Sequence, residues 1–243
     1  MSKAAKRERQ KENRERARIE RERMQKRQRQ VKATRGLLFL LAPLAVIAII
    51  IALTSGSDTP TRDYKAAPKV TIDTKKTYTA TIDTTEGNIV VALDAEATPN
   101  AVNSFVFLAK NKFYDGLCID RLMPGFGIQG GSPKCDRGGG PGYTVTDKPA
   151  PDFAVGSFVA ARSADQAAGT FGSQFYIVSG NESAVPKDDL QFGSVVTGLD
   201  VVTKIEKQNT KPPGSDIPES VVRINKVTIA TGNTPATSST SAP

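Results

Sequence analysis

The chain contains no histidine among its 243 residues, and that removes several chemistries at once. Ser–His and Cys–His nucleophilic pairs, histidine-ligated metals and imidazole proton shuttles all require the missing side chain. The glycine run Gly138-Gly139-Gly140-Pro141-Gly142 lacks the Lys-Ser/Thr that follows in a phosphate-binding loop, and no helix is expected after it, so it reads as a long flexible loop. Asp188-Asp189 offers two adjacent acids that would suit a cation, but such pairs usually mark a solvated turn. Out of context, Arg121, Gln129, Gln174, Phe126 and Tyr176 carry no chemical signal of their own. Taken singly, each has an ordinary reading: a surface charge, two amides, two core aromatics. Cys118 and Cys135 are an even count that permits a disulfide, and two separate thiols fit as well.

The elements that must position these residues follow from patterning. Alternation around Ile82 and over 89–93 predicts two strands, with Glu86-Gly87-Asn88 as a hairpin turn. Thr98-Pro99 predicts a helix start, with Thr98 as N-cap, and Val102, Phe105, Val106 and Ala109 recur at helical spacing after it. Short strands are expected at 117–123, 126–130, 157–161, 174–178 and 191–196, then a helix at 199–207 and a last strand at 221–229. Many short strands with only two helices indicate a mainly β fold, a closed antiparallel barrel.

Charge and hydropathy divide the chain. Residues 1–36 carry 15 Lys or Arg against 5 Glu, a net of +10 in a chain whose total is +8, so the remainder is slightly acidic at −2. The basic pI therefore belongs to an arm without an apolar face, a solvated or disordered segment for which lipid headgroup contact is favoured and no nucleic acid is expected. Residues 37–53, LLFLLAPLAVIAIIIAL, hold no polar side chain. As a helix they would reach roughly 26 Å, close to the minimum for crossing a bilayer, and the uncharged run extends beyond both ends. The basic flank predicts a single-pass anchor in the cell membrane, with the N-terminus cytoplasmic and the rest extracytoplasmic. A cleaved signal peptide is the competing reading, since Ala52-Leu53-Thr54 loosely resembles a small-residue site, but the charged region is far longer than a normal signal n-region. The expected order is a basic arm at 1–36, a transmembrane anchor at 37–53, a linker at 54–77, a folded domain at 78–230 and a disordered tail at 231–243.

Three segments resemble the cyclophilins. FYDGLCIDRLMPGFGIQGGSP (113–133) is similar to the family's FYDG…FHR-x-x-PGF-x-x-QGG stretch, GTFGSQFYIV (169–178) to NGSQFFI, and QFGSVVTGLDVVTKIEK (191–207) to FG-x-V-x-x-G-x-x-VV-x-x-I. The opening hairpin and ATPNAVNSFVFLAK (97–110) also fit, and the likeness covers 78–229 in family order. It implies an eight-stranded barrel capped by two α-helices and the activity of a peptidyl-prolyl cis–trans isomerase, here a membrane-anchored bacterial form. No cofactor or metal is implied. The expected partners are proline-containing peptides and unfolded exported proteins, with the lipid bilayer engaged through 37–53. On this resemblance Arg121 is the catalytic arginine. Phe126 and Gln129 belong to the active groove, Gln174 binds substrate, and Tyr176 and Val185 line the proline pocket. Ala161 lies on the strand whose backbone meets the peptide. Gln129 is the residue expected to hold Arg121. The departures are Asp120 for a histidine, Gly127 for a methionine, Arg162 for an asparagine, Ala184 near a tryptophan position and Asp189 near a groove histidine. Gly127 suggests a roomier pocket or one filled by another residue. Together these keep open the alternative of a peptide-binding or scaffold module with little turnover.

Overall fold

The computed structural model describes residues 60–150 and 152–233. The expected arm and anchor at 1–53 and most of the expected tail lie outside them. Among the described residues no helix is long and apolar enough to cross a membrane.

Eight strands close into a barrel, in the order 76–84, 222–233, 118–123, 127–130, 175–178, 157–160, 190–197 and 87–93. β1 (Lys76–Thr84) and β2 (Gly87–Leu93) form the first hairpin, and β1 alternates strictly between buried and half-exposed residues after Lys76. The turn between them is Thr85-Glu86, with Thr84 opposite Gly87, one residue earlier than expected. The Thr84 hydroxyl sets it, donating to the Gly87 carbonyl at 2.6 Å and accepting the Glu86 N–H at 3.1 Å. β3 (Cys118–Met123) and β4 (Gly127–Gly130) form the second hairpin, and β6 (Ser157–Ala160), β8 (Phe175–Val178) and β9 (Leu190–Thr197) complete the wall before β10 (Val222–Asn233) closes it against β1 and β3. Two short strands, β5 (Val145–Thr146) and β7 (Thr170–Phe171), pair outside the barrel. They were not expected, because two residues show no period.

Helix α1 (Pro99–Lys110) drives Phe105 into the barrel interior, where its ring centroid lies 5.0–5.7 Å from those of Tyr114, Phe158 and Phe192. Burying each such ring is worth about 1.5–3 kcal/mol, so this cluster is a main source of cohesion. Thr98 occupies the N-cap position without capping. Its hydroxyl donates to the Asp94 carbonyl, and the distant Asp147 carboxylate accepts the Ala101 N–H at 2.8 Å instead. Helix α2 (Leu199–Glu206) buries Val202, Ile205 and Glu206. The segment expected as a linker also makes contacts: the Thr71 N–H donates to Asn103 at 2.9 Å, and Tyr64 packs on Phe107.

Candidate active site

β3 and β4 carry the first half of the site. Their connecting turn, Pro124-Gly125-Phe126, is held from three sides. The Phe126 N–H donates to Met123, the Phe126 carbonyl accepts the Ser179 N–H, and the Gly125 carbonyl accepts the Asn181 N–H. Glu206 reaches from α2 to accept the Gly125 N–H at 2.5 Å and the Ser179 hydroxyl. Phe126 therefore projects from a fixed turn rather than from the strand that was expected to begin with it. Its ring lies 5.7 Å from that of Tyr176 on β8, tilted by 33°. Around this pair gather Val159, Val178, Val185, Met123, Phe153 and Ala161, an apolar cluster separate from the barrel core.

Arg121 stands on β3 opposite Gln129 on β4. Its Nε donates to Asp216 Oδ2 at 2.9 Å, while Nη1 meets Gln129 Oε1 only at 3.5 Å, the limit of hydrogen bonding. Asp216 is thus the principal holder, and the expected role of Gln129 is secondary. Asp216 lies in the loop between α2 and β10, and its backbone carbonyl accepts the Leu122 N–H as well. Its other carboxylate oxygen takes Arg137 Nη1 at 2.7 Å. Burial works against this carboxylate's charge, but the Arg121 hydrogen bond and the two guanidinium charges outweigh it and hold the acid below its ordinary range.

From Gln129 the polar chain continues across the groove. Gln129 Nε2 donates to Gln174 Oε1 at 3.1 Å, and Gln174 Nε2 donates to the carbonyls of Arg137 and Gly139 at 3.2 and 2.9 Å. The glycine run expected to be flexible is in fact pinned. Cys118 and Cys135 form a disulfide with Cα atoms 5.3 Å apart. Asp120, at the position of the family histidine, is pushed above its ordinary range by burial, and its Oδ2 accepts the Arg137 N–H at 3.1 Å. The Asp136 carboxylate accepts the Gly138 N–H.

The far wall is a second network. The Tyr176 hydroxyl donates to Asp189 Oδ2 at 2.8 Å, and Arg162 Nε lies 3.0 Å from Asp189 Oδ1. Asp189 is buried, contrary to the solvated turn expected for Asp188-Asp189; Asp188 alone is exposed. Burial raises the Tyr176 hydroxyl and also the Asp189 carboxyl, the latter despite the opposing pull of Tyr176 and Arg162. Tyr176, Arg162 and Asp189 therefore form one connected unit, in which Arg162 Nε pairs with Asp189 by charge without an aligned hydrogen bond.

Arg121, Phe126, Gln129, Ala161, Gln174 and Tyr176 line one groove of about 740 Å³. Val185 does not line it. It is buried behind Tyr176, while its neighbour Pro186 faces the opening. The Ala161 N–H is committed to the Gln174 carbonyl, so any pairing of Ala161 with a peptide falls to its own carbonyl. Gly127 does not enlarge the pocket: a Cβ there would lie 2.1 Å from the Ile177 carbonyl, because β4 and β8 approach closely at that point. Asp216, Arg137 and the Asp189–Arg162 pair were missed from sequence. The long loop before β10 and the isolated acids carry no period that would place them.

The comparisons with known proteins agree with this architecture. The family described as "Cyclophilin type peptidyl-prolyl cis-trans isomerase/CLD" matches residues 79–229. Peptidyl-prolyl cis-trans isomerase A of Mycobacterium tuberculosis is 34% identical, covering 63% of this chain and 93% of its own length. Peptidyl-prolyl cis-trans isomerase B of Bacillus subtilis is 38% identical, covering 47% and 81%. A crystal structure of a Cryptosporidium parvum cyclophilin type peptidyl-prolyl cis-trans isomerase in the presence of the dipeptide Ala-Pro shares the fold, with a TM-score of 0.57 at 23% identity over 63% of this chain and 98% of that one. Barrel topology, groove and family match converge, and the chain belongs to the cyclophilin-type peptidyl-prolyl cis-trans isomerases.

Proposed function

We propose that this isomerase acts on X–Pro bonds of exported proteins from a membrane anchor, and that Arg121 stabilises the twisted amide. Amide resonance places a barrier of about 20 kcal/mol on the rotation. No covalent bond breaks, so neither nucleophile nor metal is needed. As the bond twists, resonance is lost and the prolyl nitrogen regains its lone pair. A preorganised donor that bonds this nitrogen more strongly in the twisted state than in the planar one lowers the barrier. The observation that carries the reading is the fixed guanidinium: Asp216 grips Nε while the Arg121 side chain remains 41% exposed at the groove. Phe126 and Tyr176 supply apolar wall for a pyrrolidine ring, and Gln174 is held ready to bond the peptide backbone.

Arg121→Ala should lower kcat/KM for an X–Pro peptide by about 10²-fold, the scale of losing one preorganised electrostatic donor. Exchange NMR on the folded variant measures it, and a wild-type rate would remove the arginine from the mechanism. Export is supported by the apolar run at 37–53 with its basic flank and by the disulfide, which suits an oxidising compartment. A topology reporter fused after Pro243 should read extracytoplasmic in cells. A cytoplasmic reading would overturn the export assignment and leave the chemistry untouched.

A further inference from the structure

Residues 62–64 lie upstream of the segment matched by the family, yet they touch the active-site loop at both of its ends. Arg62 Nη1 donates to the Pro133 carbonyl at 3.2 Å, and its Nη2 donates to the Asp115 carbonyl at 2.7 Å. The Tyr64 N–H donates to the Pro141 carbonyl at 2.7 Å. The Tyr64 ring packs edge-on against Phe107 of α1 at 5.2 Å and Tyr143 at 6.4 Å, and the Tyr143 hydroxyl is 3.0 Å from that of Ser104. The fit leaves no space: Gly142 has φ +87°, and a Cβ on it would lie 2.3 Å from Asp63 Oδ1 and 2.5 Å from the Tyr64 carbonyl.

We propose that Arg62 and Tyr64 form a strap of positioning residues for the isomerase site, acting through the loop 133–141. Between the two strapped prolines lie the Arg137 and Gly139 carbonyls that hold Gln174, and the Arg137 guanidinium that shares Asp216 with Arg121. The strap therefore touches the loop directly and reaches the groove's polar groups through it. A short glycine-rich segment has high conformational freedom, and ordering it before substrate arrives lowers the entropy lost on binding. Arg62 suits the task because a planar guanidinium can satisfy two carbonyls in fixed directions. Tyr64 acts through its ring and its backbone, since its hydroxyl is buried without a hydrogen-bond partner. The proposal rests on the reading of Arg121 and Gln174 as groove residues.

The test uses the full-length chain carrying Arg62→Ala with Tyr64→Ala, and Tyr64→Phe alone. The readouts are kcat and KM on an Ala-Pro peptide, measured well below the melting temperature, and amide hydrogen exchange over 135–138, whose N–H groups are all hydrogen-bonded. The double variant should exchange those amides at least ~10-fold faster, because local opening of the loop becomes easier. It should also lose about 3- to 10-fold in kcat/KM, the scale of a small misplacement of binding groups. Tyr64→Phe should match the wild type in both readouts. Should the double variant not fold, Arg62→Ala alone removes the two carbonyl contacts and carries the same comparison. Unchanged loop exchange, or faster exchange with wild-type kcat/KM, overturns the strap. If Arg121→Ala is inactive while the strap variants are normal, only the strap fails; if Arg121→Ala is also normal, the reading of the groove has failed.

Discussion

The two walls of the groove are both built on a carboxylate that receives an arginine, and they behave oppositely. On the Arg121 wall, Asp216 sits between two guanidinium groups, with side-chain exposures of 41%, 34% and 37% for Arg121, Asp216 and Arg137. On the Tyr176 wall, Arg162 and Asp189 are only 13% and 10% exposed. Two cations near water hold the first acid below its ordinary value, whereas burial lifts the second above it in spite of its partners. The first arrangement keeps a charge available and oriented at the opening. The second spends its hydrogen bonds internally and fixes the shape of an apolar wall. A polar network can serve as a handle or as a frame, and its burial decides which.

The largest expected effect that separates the walls is Asp216→Asn. It keeps the size of the side chain but removes the charge shared by Arg121 and Arg137. It should lower kcat by about 10-fold with KM within about 2-fold, because on the proposed mechanism the group it releases is preorganised for the twisted state. Steady-state analysis by a coupled isomerisation assay separates the two constants, and an equal loss in binding would show that Asp216 belongs to the ground-state grip instead.

A smaller difference should appear in the pH dependence. Asp216 has a depressed value, so its contribution is complete above the ordinary 3.8 and disappears only as pH falls through its still lower folded value. Asp189 has a raised value, so its contribution to stability is complete below 3.8 and is lost as pH rises through the folded value. Acidification therefore protonates Asp189 first, while the Arg121 clamp is still charged. An acid limb in KM should begin above pH 3.8 and vanish in Asp189→Asn, with kcat unaffected over the same interval. A kcat limb in that interval that survives Asp120→Asn would mean that the walls are coupled, since Asp120 beside Arg137 is raised as well.

Tyr176→Phe should be the mildest change. It leaves the ring against Phe126 and removes one hydrogen bond from Asp189, so stability should fall by about 1–2 kcal/mol and KM by less than about 3-fold in either direction. Thermal unfolding with parallel kinetics checks this. A loss of activity on the scale of Arg121→Ala would make the hydroxyl part of the chemistry.

What sequence could and could not reveal follows the same physical division. Ile82, Ile89 and their alternating neighbours announce strands because one face must be buried, and Phe105 announces its helix by spacing. Arg121, Phe126, Gln129 and Gln174 were readable only through the family resemblance of 113–133 and 169–178, since each taken singly has an ordinary reading. Asp216 meets Arg121 across 95 positions, from a loop whose Pro and Gly content predicts only irregularity. Asp189 was misread because burial is a property of what packs on it, and Tyr176 comes from β8 and Arg162 from the loop after β6. The glycine run looked mobile because its restraints are distant: a disulfide partner on β3, the Gln174 amide, and Tyr64 from a segment read as linker.

The register of the closing seam has a kinetic consequence. β1 pairs β2 across a two-residue turn, but its other edge pairs β10 from Lys76 opposite Asn233 to Thr84 opposite Ile224. The first strand of the domain thus waits for the last. Until β10 is present, the hairpin carries an open edge of unpaired N–H and C=O groups, the kind of edge that recruits other strands. Closure joins residues at opposite ends of the domain, which places this barrel among topologies of high contact order and slow folding. A copy still being synthesised would spend that interval with its seam unsealed.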